Sequence, residues 1–292
     1  MKLSLNILAA AAALVVAGQA SAALTGGGVQ GGSSLVLSVW DNVANVSYTR
    51  NLGTNLNGFL PSGFSTLPGD GNVLGTAVSG DKTPNAGLSL TFTGDTLFGT
   101  TFASSVAGNI QWNVVAFDSV NSVSGGLYRF LTTTAPGNPP TTINSATALG
   151  ATGATTYFDG LLSQTTIATT NSVAIADPGS AAFAGRANFG TGLNNLGVNS
   201  SGTGFGGSLD FYYLARTQVS GLNSALATQR QFGNAENFAS WTLATDGTAT
   251  YNLAPIAAVP LPPALWMFGS GLVTLAGFAR RRKPKALTQV AA

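Results

Sequence analysis

The chain contains no cysteine and no histidine. The first absence excludes disulfides and thiolate chemistry, and the second removes the commonest general base and the commonest zinc ligand. Charge is also scarce, at 8% of residues against roughly 25% in an ordinary soluble domain. The acidic side is nine aspartates and the single Glu236. The basic side is segregated: Lys2 stands at the start, and Arg280, Arg281, Arg282, Lys283 and Lys285 crowd the end. The pI of about 9.0 therefore reports the tail. Between the ends, Arg50, Lys82, Arg129, Arg186, Arg216 and Arg230 stand against all ten acidic residues, a net charge of −4. A region without basic clusters cannot neutralise a phosphate backbone, which excludes nucleic acid as a partner.

What is abundant is glycine, 38 of 292 residues, beside 12 prolines and a 45% hydrophobic fraction. Gly plus Pro stays below the roughly 25–30% of low-complexity chains, so a turn-rich domain with a buried core is expected. The N-terminus has one positive charge, an apolar run from Leu3 to Ala17, and then Ala20-Ser21-Ala22. These are the parts of a secretory signal, with cleavage after Ala22 making Ala23 the mature N-terminus. Signal peptidase is the implied partner, and residues 1–22 the implied signal helix.

The C-terminus mirrors this layout. From Pro263 to Ala279 the chain carries no charge, at the short end of the ~17–25 residues that span a bilayer. Pro262 and Pro263 suit a first helical turn, and Trp266 suits one membrane interface. The basic block Arg280, Arg281, Arg282, Lys283 and Lys285 reads as a cytoplasmic anchor. Together, Val259-Pro260-Leu261-Pro262, the apolar helix and the basic block resemble a PEP-CTERM sorting signal, in the V-P-L-P form with Leu261 where the nominal motif has Glu. That resemblance implies an exosortase, a membrane-embedded cysteine protease or transpeptidase, as processing partner. It further implies transient anchoring in the inner membrane and a final place at the cell surface or outside the cell, in an exopolysaccharide or biofilm setting. The alternative reading of the same residues is a plain C-terminal membrane anchor. The expected division is a signal peptide at 1–22, an exported β-rich domain at 23–258, the sorting signal at 259–285 and a disordered end at 286–292.

Within 23–258 the dominant period is two. Leu88, Leu90 and Phe92 alternate with polar residues, as do Ile110, Trp112 and Val114; that alternation marks half-buried strands. Leu35 to Trp40, Val43 to Arg50, Tyr128 to Thr133 and Leu209 to Arg216 add further strands rich in β-branched and aromatic residues. Between Phe238 and Leu253, a three-residue loop Thr245-Asp246-Gly247 pairs Trp241 with Tyr251 and Leu243 with Ala249, and puts Gly247 at the left-handed position of a bulge. Short helices are expected at Ile143–Leu149, Tyr157–Gln164, Ala181–Asn188 and Ser224–Gln231, with 141–199 otherwise irregular. The fold class expected is mainly β, an antiparallel sandwich or barrel-like domain with a few short helices.

No catalytic, cofactor or metal site stands out. Asp70, Asp81, Asp95, Asp159 and Asp246 lie beside glycines, where an aspartate caps its own turn. Gly202 to Gly207 resembles a phosphate loop but leads into a strand and lacks the Lys-Ser/Thr pair. Trp40, Trp112 and Trp241, with Tyr48, Tyr128, Tyr212, Tyr213 and Tyr251, would stack on sugars only if they face solvent; alternation places them in the core. The reading is a non-enzymatic surface or matrix protein, structural or adhesive. A secreted carbohydrate-binding module and an extracellular hydrolase are the alternatives.

Overall fold

The structure is a computed structural model that describes residues 13–14, 23–28, 31–60, 88–119, 129–140, 144–185, 204–215, 228–233 and 237–254. Its strands are β1 (Ala13–Leu14), β2 (Ser34–Asp41), β3 (Val46–Asn55), β4 (Leu88–Phe92), β5 (Ile110–Asp118), β6 (Arg129–Thr134), β7 (Ser172–Ile175), β8 (Ser208–Ala215), β9 (Thr228–Gln231), β10 (Ser240–Leu243) and β11 (Ala249–Leu253). The helices are α1 (Leu56–Phe59), α2 (Thr96–Thr101), α3 (Asn144–Leu162) and α4 (Thr165–Thr170). Nine strands form one antiparallel half-barrel sheet in the order β4-β11-β10-β8-β6-β5-β2-β3-β7. β1 adds in parallel at the β4 edge, and β9 pairs with β8 beyond the end of β10. The chain is thus mainly β, built as one curved sheet and not as two facing ones.

Alternation along the strands sorts side chains to two faces. The concave face is closed by Leu35, Leu37, Val39, Trp112, Leu131 and Phe211, among others, all buried. Aromatic rings fill its middle: Phe211 stacks on Phe232 with centroids 4.7 Å apart, and Phe59 meets Tyr251 edge-on at 5.3 Å. Such offset and edge-on contacts are what ring quadrupoles favour. On the convex face, Val36, Trp40, Val115, Phe117 and Phe130 are covered by α3 through Ala154, Phe158 and Leu161. Tyr157 anchors α3 on the same face, its hydroxyl bonded to Ser38 Oγ at 2.9 Å and to Thr49 Oγ1.

The two ends of the sheet meet through α2. Asp95 caps that helix, accepting from Phe98 N at 2.9 Å with Oδ1, while its Oδ2 accepts from the Tyr48 hydroxyl of β3 at 2.9 Å. Arg50 of β3 donates to the Thr93 carbonyl after β4. One aspartate therefore both starts a helix and bridges the seam of the half-barrel.

The β10–β11 hairpin has the expected register, Trp241 opposite Tyr251 and Leu243 opposite Ala249, with Gly247 at φ +82°. Apolar pairing selected this register, because a slip of one residue would turn Trp241 and Leu243 outward. Gly247 also lies against α2: a Cβ there would come within 2.5 Å of the Phe98 ring. Gly247→Val adds a clash to a backbone that a β-branched residue adopts only under strain. A loss of about 2–4 kcal/mol is expected in denaturant titration, and a change below about 0.5 kcal/mol would show that the loop yields freely.

Several expectations are corrected. The segment 228–231 is strand β9 and not the end of a helix, because Thr228 to Gln231 pair with Ala215 to Tyr212 of β8; this ladder overrides a weak helical preference. The helices expected at 143–149 and 157–164 are one helix, α3, whose buried stripe on the sheet outweighs its internal glycines and threonines. Residues 181–185 form turns where a helix was expected. Val43 belongs to an exposed turn ahead of β3. β7 lay inside the segment expected to be irregular, and it extends the sheet beyond β3.

Candidate functional site

The residues singled out at the two ends of the chain fall mostly outside the described structure. Ala20, Ala22, the motif Val259 to Pro262, the apolar run to Ala279 and the basic residues Arg280, Arg281, Arg282, Lys283 and Lys285 lie outside the described residues. Among the described residues, no helix is long and apolar enough to cross a membrane. Ala23 is described and exposed. Immediately after it the chain is built into the fold: Leu24 is buried on the convex face, Thr25 N donates to Ser34 Oγ at 2.9 Å, and Ser34 N donates back to the Thr25 carbonyl at 3.0 Å. Gly27 lies so close to the Phe117 ring that a Cβ would approach to 2.3 Å. Ala23, Thr25, Ser34, Gly53, Thr54 and Asn55 border a small cleft of about 290 Å³.

Most of the described carboxylates are engaged in local structure. Asp41 accepts from Val43 N and Ala44 N at the β2–β3 turn. Burial works against its charged form, but the Ala44 and Val43 amides outweigh burial and hold its pKa below the ordinary value. Asp246 accepts from Thr248 N, which likewise keeps its pKa low. Asp177 caps Gly179 N, and Asp210 accepts from Gly137 N at 3.0 Å. Asp118 is buried and paired with Arg129, its cross-strand neighbour. Asp159, expected in a turn, sits on an exposed position of α3. Asp70, Asp81, Lys82 and Glu236 lie outside the described residues. Among the described residues, no three side chains of the His/Cys/Asp/Glu type come together where they could hold a metal ion.

The aromatic residues considered as sugar platforms are core. Trp40, Trp112, Trp241, Tyr48, Tyr212, Tyr213 and Tyr251 are all buried, and Tyr128 lies outside the described residues. Trp40 Nε1 donates to Gln111 and Trp112 Nε1 to the Gly204 carbonyl, so these rings are fixed inside the protein wall. Gly204 to Gly207 form a turn leading into β8, as expected for a loop that precedes a strand.

The feature that sequence reading missed is on the convex face beyond α3. On β4, β11, β10 and β8 each strand turns two polar residues outward around one inward apolar residue: Ser89-Leu90-Thr91, Thr250-Tyr251-Asn252, Ser240-Trp241-Thr242 and Ser208-Leu209-Asp210. The register aligns them into two rows across the sheet. One row is Ser89, Asn252, Ser240, Asp210; the other is Thr91, Thr250, Thr242, Ser208. None of the eight is buried. Strand spacing sets successive groups in a row about 4.8 Å apart, and the two rows lie about 7 Å from each other.

No protein-family profile matches this chain, and neither a curated protein nor a solved structure is found similar to it. The functional reading therefore stands on these residues alone. Each strand's alternation was visible in the sequence, but the rows depend on which strands are neighbours. β4 and β11 lie far apart along the chain and become adjacent only in the fold.

Proposed function

We propose that the chain is an exported cell-surface or extracellular-matrix protein, non-enzymatic, structural or adhesive, whose C-terminal signal is processed by an exosortase of the PEP-CTERM type. The observation that carries this reading is the three-part tail: Val259-Pro260-Leu261-Pro262, an uncharged run to Ala279, and five basic residues between Arg280 and Lys285. Proline pairs ahead of the run and a basic block behind it are more than a plain anchor requires. Cleavage after Ala22 would take β1 away from the edge of β4 but leave the contacts of Leu24, Thr25 and Gly27 in place, and β11 ends at Leu253, ahead of the motif. The buried tryptophans and tyrosines disfavour a carbohydrate-binding module built on ring stacking.

The test is fractionation of the source cells with mass spectrometry of both mature termini. The expected protein begins at Ala23, ends between Pro260 and Pro262, and is recovered at the cell surface or in the medium. Chain retained in the inner membrane and intact to Ala292 would overturn the assignment.

A further inference from the structure

We propose that the outer face of β4, β11, β10 and β8 is a binding surface for an extended, uncharged polysaccharide chain lying across the strands. The inference rests on the reading of the chain as a surface or matrix protein and names what that protein holds. Its basis is the pair of polar rows, Ser89, Asn252, Ser240, Asp210 and Thr91, Thr250, Thr242, Ser208.

The chemistry of the eight side chains selects the class of ligand. There is no Lys or Arg among them, so an anionic polymer or a lipid phosphate finds no counter-charge. There is no apolar side chain, so an amphipathic helix would bury nothing to offset its ordering. The single carboxylate, Asp210, already accepts the Gly137 amide. What remains are short hydroxyl and amide groups that both donate and accept, matching a ligand made of hydroxyls.

Geometry narrows the class to an extended chain. A row repeats about every 4.8 Å, close to the rise of one residue in an extended β-linked hexose polymer, so successive sugars meet successive strands. The second row, about 7 Å away, flanks the same chain. Beyond Asp210 the row meets Thr134, its cross-strand neighbour on β6, which is fully buried, so the open row ends at Asp210. The rest of the convex face is sealed by α3 against Val36, Trp40, Val115 and Phe130. The sheet is therefore divided into a closed apolar half and an open polar half.

The test uses the full chain, purified in a detergent without a sugar headgroup, and measures its retention on amorphous cellulose, an uncharged β-linked glucan. Alginate, a polyuronate, serves as the anionic control. Saturable retention on cellulose, and little on alginate, is expected. Thr242→Val with Thr250→Val keeps shape and strand preference while removing two hydroxyls from one row. It should lower the cellulose association constant about tenfold, the loss expected for one to two net hydrogen bonds. Thr169→Val, on an exposed position of α4 away from the rows, should bind like the parent. An unchanged isotherm for the double variant, with its melting temperature also unchanged, would overturn the proposal. So would tighter retention on alginate, or inhibition of ice recrystallisation without cellulose binding, which would assign the rows to ice. Failure here combined with correct processing at Ala23 and Pro260–Pro262 removes the glycan surface and leaves the surface-protein reading intact. Glycan binding by a chain that keeps its tail to Ala292 does the reverse.

Discussion

Arg129→Ala should destabilise the protein by about 3–5 kcal/mol, because it strands a buried carboxylate. Asp118 and Arg129 face each other across β5 and β6, and both are almost completely buried. Arg129 Nε donates to Asp118 Oδ2 at 3.0 Å, and Nη2 donates to the same oxygen. Neither charge has water to turn to when the other is removed. Asp118→Asn should also destabilise, because it leaves the buried guanidinium without a counter-charge, but by less than Arg129→Ala, since the amide oxygen still accepts from Arg129. The combined change Asp118→Leu with Arg129→Met should recover most of the loss, as buried ion pairs replaced by apolar residues of similar volume often do. Urea titration of the parent and these variants gives each loss, and adding the single variants Asp118→Leu and Arg129→Met closes a cycle that yields the coupling energy. An Arg129→Ala loss below about 1 kcal/mol would mean that the pair is hydrated in solution.

Alkaline unfolding is the second large expected effect. Tyr157 and Tyr213 have their pKa values pushed up to about 12, from a usual value near 10. Burial is the main cause in both cases, and at Tyr213 the neighbouring Arg129 partly opposes it. Tyr48 is pushed up further, by burial first and then by the charge of Asp95. In each case the unfolded chain loses its proton near pH 10, whereas the folded chain holds it. Below pH 10 both states carry the same protons and stability is unaffected. Above pH 10 the folded state binds more protons, so stability falls with rising pH until the folded groups titrate. Each tyrosine contributes about 1.4 kcal/mol per pH unit across that window, and the three together about 4 kcal/mol per pH unit. Chemical denaturation at a series of alkaline pH values should show a flat region ending near pH 10 and a steep decline beyond it. Tyr157→Phe should reduce the slope by about a third, while lowering stability at neutral pH because Ser38 and Thr49 lose their partner. An alkaline slope unchanged by Tyr157→Phe would contradict the assignment.

Much of the sheet was legible because alternation leaves a direct mark. Ile110, Trp112 and Val114 face the concave core as their alternation with Gln111 and Asn113 implied, although β5 is buried on both faces, Asn113 included, where a half-buried strand was expected. The β10–β11 register followed from the same logic, since only one alignment pairs Trp241 with Tyr251. Residues whose structure depends on distant partners were not legible. Thr228 to Gln231 carry no strand signature of their own and become β9 because β8 offers an edge. Ser172 to Ile175 are only four residues, too short to declare a strand until β3 lies beside them. α3 contains Gly150, Gly153 and Gly160 and would be a poor helix in isolation; the sheet beneath it supplies the stabilisation. The polar rows were hidden for the same reason. Ser, Thr and Asn at alternate positions are what any solvated strand face shows, and only strand order turns eight of them into a grid.

The seating of β11 has a mechanical consequence. The strand is paired on both sides, with β4 and with β10, and in the sequence it is the last strand before the C-terminal tail. If the tail is the point of attachment to the cell and the load is a polymer held across the neighbouring strands, tension enters along the axis of β11. Two ladders then bear it in shear, so their hydrogen bonds must yield together and cannot be peeled one by one. Detachment under force is governed by the rate of unfolding, and this arrangement puts the attachment strand where that rate is slowest to rise.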